Sequence, residues 1–139
     1  MKTILFSLLI LSSLVLTSCG DQVYSIPELY NIPGCTGPCG IRMDCEGMEV
    51  TVEAKLNSRN MLKLGRKYFL RSEEADRTIS IEFAESIPDD IVHKLDEAQE
   101  QGKTIHLKGV IEGFDLSTEE YCQRAQILFI QDPKDISIK

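Results

Sequence analysis

Four cysteines have the clearest capacity for chemistry in this chain: Cys35, Cys39 and Cys45 in a Cys-x3-Cys-x5-Cys arrangement, and Cys122 far downstream. Three chemistries fit thiols in this pattern. An even number in a compartment that permits disulfides predicts two bridges, with three pairings open. The same sulfurs could surround zinc or another thiophilic ion as a tetrahedron. The spacing, however, is not the Cys-x2-Cys pair of common zinc sites, and an oxidising compartment would link the thiols instead. A redox-active dithiol would need Cys-x-x-Cys beside a βαβ unit, and neither is present. Two disulfides are therefore expected, with a metal-binding or redox accessory role for Cys35, Cys39, Cys45 and Cys122 as the alternative.

The other polar residues form no catalytic set. His93 and His106 are the only imidazoles. His93 lies beside the apolar stripe of a helix and His106 faces away from Ile105 and Leu107, so both are expected at exposed or interface positions. No Ser-His-Asp or Cys-His pairing can be argued. Asp89, Asp90, Asp96, Glu97 and Glu100 are explained by helix-start electrostatics and solvation. Phosphate-binding glycine loops, calcium loops and internal repeats are absent. The expectation is a protein that is not an enzyme, with no catalytic residue, metal or cofactor. Fifteen Lys and Arg against 22 Asp and Glu give a net charge of −7, and the pI is about 4.8. Nucleic-acid binding ordinarily rests on a basic footprint, so nucleic acid is not expected as a partner.

The fifth cysteine has a different setting. Lys2 is the only charge in the first 19 residues, and residues 4–16 are mostly apolar. That run is shorter than the roughly 20 residues a spanning helix needs, so residues 1–18 are expected to be a signal peptide. It ends in Leu16-Thr17-Ser18-Cys19-Gly20, which resembles the lipobox of bacterial lipoproteins. The resemblance implies cleavage before Cys19, diacylglycerol on its sulfur, and palmitate-type acyl chains holding the protein to a membrane of the bacterial cell envelope. Residues 20–34 carry Pro27, Pro33 and apolar residues without a period. They read as a linker, so that residues 19–44 comprise anchor, linker and Cys-rich segment, and residues 45–139 the folded domain.

Within that domain, Met48, Val50, Val52, Ala54 and Leu56 alternate with Glu49, Thr51, Glu53 and Lys55, the period of a half-buried strand. Turn residues occupy 57–60. Lys67 to Arg71 is aromatic-rich enough for a second strand, and residues 77–83 alternate through Ile79, Ile81 and Phe83 for a third. Ile91, Val92, Leu95 and Ala98 then form one helical stripe. Ser86 and Asp89 stand as a capping-box-like pair at its start, and Gly102 is its stop. Residues 103–114 return to strand, with Gly109 and Gly113 marking a bulge or bend. The last strand is expected over 121–131, its unbroken run Ile127-Leu128-Phe129-Ile130 suiting coverage on both faces. Ile136 and Ile138 fit a short edge piece.

The fold expected is thus mainly β with one helix. The order β-β-β-α-β-β resembles the OB-fold, a small five-stranded barrel. That resemblance implies that strand one lies antiparallel to strand four, which would bring Cys45 toward Cys122 and leave Cys35 to join Cys39. It also implies a ligand face over strands two and three and the loops joining strands one to two and four to five. Carried over by position, this marks Tyr68, Phe69, Arg59, Arg71, Lys63 and Arg66, with the acidic loop at 115–120. Tyr68 and Phe69 are adjacent in a strand and face opposite ways, so one of them belongs to the core. Anchor and barrel together predict a lipid-anchored envelope lipoprotein serving as a non-enzymatic binding or assembly module. Its partners would be the membrane, through the lipid, and an envelope protein or glycan.

Overall fold

The computed structural model describes residues 22–57, 60–64, 67–72, 77–84 and 86–139. The segment 1–18, Cys19, Arg59 and Arg66 lie outside the described residues. The elements in chain order are β1 (Val23–Tyr24), α1 (Ile26–Asn31), β2 (Gly37–Pro38), β3 (Glu49–Lys55), β4 (Met61–Leu64), β5 (Lys67–Arg71), β6 (Thr78–Phe83), α2 (Asp89–Glu100), β7 (Thr104–Ser117), β8 (Cys122–Ile130), a 3-10 turn (Pro133–Asp135) and β9 (Ile136–Ile138). No helix among the described residues is long and apolar enough to cross a membrane.

The main sheet runs β1-β3-β7-β8-β6-β5-β4. β4, β5 and β6 form an antiparallel meander, β6 lies parallel to β8, and β7 pairs antiparallel with both β8 and β3. β4 at one end of this order follows in the chain directly after β3, which stands next to β1 at the other end, so the sheet curls back toward itself. These are the connections of an OB-fold-like barrel, with β3 and β4 as the two halves of its first strand. The break is made by asparagines. Asn60 is buried, its amide donates to the Lys55 carbonyl, and the Asn57 and Asn60 side-chain oxygens each accept from the other's backbone N–H at 3.1 and 2.8 Å. Of the turn expected at 57–60, residues 58 and 59 lie outside the described residues, and Asn57 and Asn60 face each other across it between β3 and β4. The four-residue β4 beyond it carries too short a pattern to be read from sequence.

Inward residues of the alternating strands build the core: Val50, Val52, Tyr68, Leu70, Ile79, Ile81, Ile105, Leu107, Ile111, Leu128 and Ile130. Leu95 and Ala98 of α2 join it, and Ile91 packs against it, as the helical stripe requires. Gly102 ends the helix at φ +64°. The expected cap does not form. Pro88 occupies the N-cap with no side-chain hydrogen bond, because a proline drives the residue before it out of helical geometry and leaves Ser86 too far upstream. Gly109 and Gly113 make no bulge, since the pairing of β7 with β3 and β8 runs without interruption. They are sites of close approach. A Cβ on Gly109 would lie 2.6 Å from the Phe129 carbonyl oxygen, and one on Gly113 would lie 2.6 Å from Arg124 Nε.

Residues 22–44, expected as a linker lying partly on the domain surface and a Cys-rich segment, contribute Ile26, Leu29, Cys35 and Met43 to its core. β1 pairs parallel with β3. α1 opens with a capping box in which Ser25 and Glu28 satisfy each other's backbone N–H, and Ile26 and Leu29 are buried. Tyr30 donates its hydroxyl to the Thr78 carbonyl at the start of β6. Gln126 of β8, itself buried, donates to the carbonyls of Leu29 at 3.3 Å and Cys35 at 2.9 Å. A six-residue helix presents only two apolar residues to the core, which is too few for a period.

The disulfides are Cys35 to Cys45 and Cys39 to Cys122, which corrects the expected Cys45 to Cys122 and Cys35 to Cys39. β7 continues to Ser117, three residues past its expected end, so Cys122 sits opposite Ser117 at the hairpin tip. Gly47, just after Cys45, donates to Ile111, six residues back along β7, or about 20 Å at roughly 3.3 Å per residue. β2 instead lies beside β8, Pro38 opposite Gln123, and delivers Cys39 to Cys122. With all four sulfurs in bridges, the thiolate set needed for the metal-binding alternative is not free.

Candidate ligand-binding face

Strand alternation decides which of the expected ligand-face residues point outward. In β5 it buries Tyr68 and Leu70 and turns Lys67, Phe69 and Arg71 to the outside. Tyr68 is thus corrected from ligand face to core. It packs edge-on against Phe83 with ring centroids 5.9 Å apart, its hydroxyl is buried without a hydrogen-bond partner, and the Lys63 ammonium stands 5.6 Å from its ring centroid. Phe69 keeps its place on the outer surface, and Arg71 is exposed beside it.

The register then assembles a band across five strands, β4, β5, β6, β8 and β7. Phe69 lies between Leu62 of β4 and Ser80 of β6, and Ser80 lies opposite Ile127 of β8. One step along, Glu82 lies opposite Phe129, and Phe129 opposite Val110. Leu62 is 58% exposed, whereas Ser80 and Ile127 are 6% and 8% exposed although they face outward. Lys67 and Glu82 form an ion pair across this surface. The band can offer a ligand apolar and aromatic area with a charged border, the combination that orients planar or partly apolar groups.

The β7–β8 turn, expected as an acidic ligand loop, divides in two. Thr118 and Tyr121 close it by mutual hydrogen bonds, leaving Glu119 and Glu120 exposed. Asp115 belongs to β7 and is committed elsewhere. Arg124 binds Glu46 with two parallel bonds of 2.8 and 3.1 Å and Asp115 with a third of 3.0 Å. Gly40 N–H reaches Asp115, and Met43 N–H reaches Glu46. The Arg124 guanidinium holds both carboxyls below the usual carboxylate range, and they in turn raise its own pKa. The space left by Gly113 admits this cluster, which fastens the Cys-rich loop to the hairpin. A bidentate arginine signal of this kind joins residues 78 apart in sequence and has no local pattern by which to find it.

His106 Nε2 meets the Glu53 carboxyl on the adjacent strand, which places it in a cross-strand hydrogen bond, while His93 is exposed on α2. Among the described residues no group of three or more His, Cys, Asp and Glu side chains is placed to hold a metal.

No family model matches this chain, and no curated protein matches it. Among solved structures it is similar to the mitochondrial single-stranded DNA binding protein Rim1 from S. cerevisiae, at 12% identity and TM-score 0.41, over 67% of this chain and 95% of that one. A selenomethionine-labelled structure of the same protein gives 13% identity and TM-score 0.40 over the same shares. The exclusion of nucleic acid is corrected by this comparison, because the proteins so matched are single-stranded DNA binding proteins. The likeness itself concerns the fold.

Proposed function

We propose that this protein is a lipid-anchored bacterial envelope lipoprotein whose OB-fold-like domain is a non-enzymatic binding module, with its ligand contacting the outward band centred on Phe69. The observation that carries the binding reading is that band: Leu62 beside Phe69 and Phe129 beside Val110, two apolar pairs on one outward face with β6 between them, bordered by Lys67, Glu82 and Arg71. The anchoring reading is supported by the lipobox-like Leu16-Thr17-Ser18-Cys19 after a short apolar run. Two disulfides agree with a domain that folds in an oxidising compartment. Acyl chains contribute about 0.8 kcal/mol per buried CH₂, so two or more of them hold such a domain stably on a bilayer while it stays in water.

Two experiments test the two halves separately. Radiolabelled palmitate should enter the wild-type protein in its native cell and not Cys19→Ala; equal labelling of both would refute the anchor. A photo-cross-linking residue at position 69 should yield a specific adduct in the envelope, lost in Phe129→Ala, while a control at exposed His93 yields none. Single-stranded oligonucleotide and cell-wall glycan fragments serve as purified probes of the same face. Adducts from position 93 equal to those from position 69 would remove the face from consideration.

A further inference from the structure

The two disulfides differ in a way that assigns them different chemistry. Cys35 and Cys45 are both 0% exposed, enclosed in the core beneath the Cys-rich loop. Cys122 is exposed and Cys39 half-buried, at the tip of the β7–β8 hairpin. Thiol–disulfide exchange requires a thiolate to reach a sulfur, so accessibility decides which bridge can react while the protein remains folded.

The loop between the bridges is built to survive loss of the outer one. Its base is cinched by Cys35 to Cys45, with Cα atoms 5.3 Å apart, and by Asp44 N–H donating to the Gly34 carbonyl at 2.9 Å. Gln126 holds the Cys35 carbonyl from within the barrel. The loop tip is held by the outer bridge, by the short pairing of β2 with β8, and by Gly40 N–H on Asp115. Opening Cys39 to Cys122 therefore removes one fastening of residues 36–44 and leaves the core contacts in place.

We propose that Cys39–Cys122 is a site of thiol–disulfide exchange with an external dithiol donor, and that Cys35–Cys45 is a structural bridge closed to that donor. A thiolate of the donor attacks Sγ of Cys122, forming a mixed disulfide and releasing Cys39 as a thiolate. The donor's second thiolate then attacks its own sulfur in that mixed disulfide and releases Cys122 as a thiolate. Two electrons pass from the dithiol, which becomes a disulfide, and the two thiolates take up the protons it lost. A monothiol is a poor donor here: the pairing of Pro38 with Gln123 holds Cys39 beside Cys122, so Cys39 displaces the adduct and the bridge re-forms. The reduced state removes the covalent fastening of the loop to the hairpin that joins the fourth and fifth barrel strands, one of the two loops by which OB-folds meet ligands, and leaves the β2–β8 pairing and the Gly40 bond to Asp115 as the remaining ties.

The test uses the full chain with both bridges intact, exposed to graded dithiothreitol, quenched by alkylation and mapped by peptide mass spectrometry. Cys39 and Cys122 should become labelled at a dithiol concentration about tenfold or more below that which labels Cys35 and Cys45, with circular dichroism unchanged, and glutathione at equal thiol should label them far less. Simultaneous labelling of both pairs, earlier labelling of Cys35 and Cys45, or loss of the dichroism signal together with the outer bridge would overturn the proposal. The double variant Cys39→Ser with Cys122→Ser should fold and keep Cys35–Cys45 oxidised; failure to fold would show the outer bridge to be structural and overturn it equally.

Discussion

Gln126→Glu changes one donor into an acceptor at almost constant volume, in a place closed to bulk solvent. Gln126 is 1% exposed, its Nε2 donates to the carbonyls of Leu29 and Cys35, and its Oε1 meets no donor. A carboxylate there would face two carbonyl oxygens and a site that supplies no hydrogen bond. Full burial raises a glutamate pKa by up to about 3 to 5 units at about 1.4 kcal/mol each. The ionised variant should therefore lose about 4 kcal/mol or more, a large part of the roughly 5 to 15 kcal/mol that holds a small domain together. The sign follows from the raised folded-state pKa: below the unfolded value near 4.3 the acid is neutral in both states, and the extra cost grows as pH rises toward the folded value. At low pH the protonated acid still donates one bond, to the Cys35 carbonyl, while Leu29 keeps its bond from Ile32 N–H. There the variant should cost only about 1 kcal/mol. Urea unfolding of wild type and variant with disulfides intact, at pH 4.5 and pH 8, reads the difference. Equal costs at the two pH values would mean that position 126 is hydrated, and that the N-terminal segment does not seal the barrel.

The remaining predictions concern the same fastenings. Gly109→Ala should cost more than Gly113→Ala, about 2 kcal/mol or more, because its Cβ meets the Phe129 backbone rather than the ends of mobile side chains; urea midpoints of the pair check the order. Glu46 and Asp115 have folded-state pKa values below their unfolded values of 4.5 and 3.8, so their contribution is complete only above about pH 5 and is lost as pH falls through the folded values. An acid titration of Arg124→Leu should accordingly be shallower than that of wild type below pH 4, and superimposable curves would refute the assignment. Asn60→Ala removes the bonds to Lys55 and Asn57 and should cost about 2 to 3 kcal/mol, with hydrogen exchange accelerated first in β4.

Much of the barrel was legible in the chain. The alternation of Val50, Val52, Ala54 and Leu56, the stripe of Leu95 and Ala98, the stop at Gly102 and the edge piece at Ile136 to Ile138 all lie where the residues predicted. Each is a local period, and a period follows from which face must leave water. The Ser25 and Glu28 capping box was equally present in the sequence, as Ser-x-x-Glu with Pro27, but two buried side chains make no stripe to draw attention to it. On the candidate face, the alternation in β5 required one of Tyr68 and Phe69 to be core; it did not say which.

That choice, and the cysteine partners, were made by tertiary structure. Tyr68 is inside because β5 pairs with β4 and β6 in a register that aligns it with Ile81, and a shift of one residue would have put Phe69 there instead. Cys39 meets Cys122 because β7 extends to Ser117 and β2 adds to β8. The Arg124 cluster exists because Gly113 leaves room beneath it. Sequence by itself determined the longer strands and the main helix and which of their faces are apolar, since burial acts on neighbouring residues through a fixed period; the short β1, α1, β2 and β4 carry too few residues for one. Pairings between distant residues depend on register and strand length, which only the closed sheet decides.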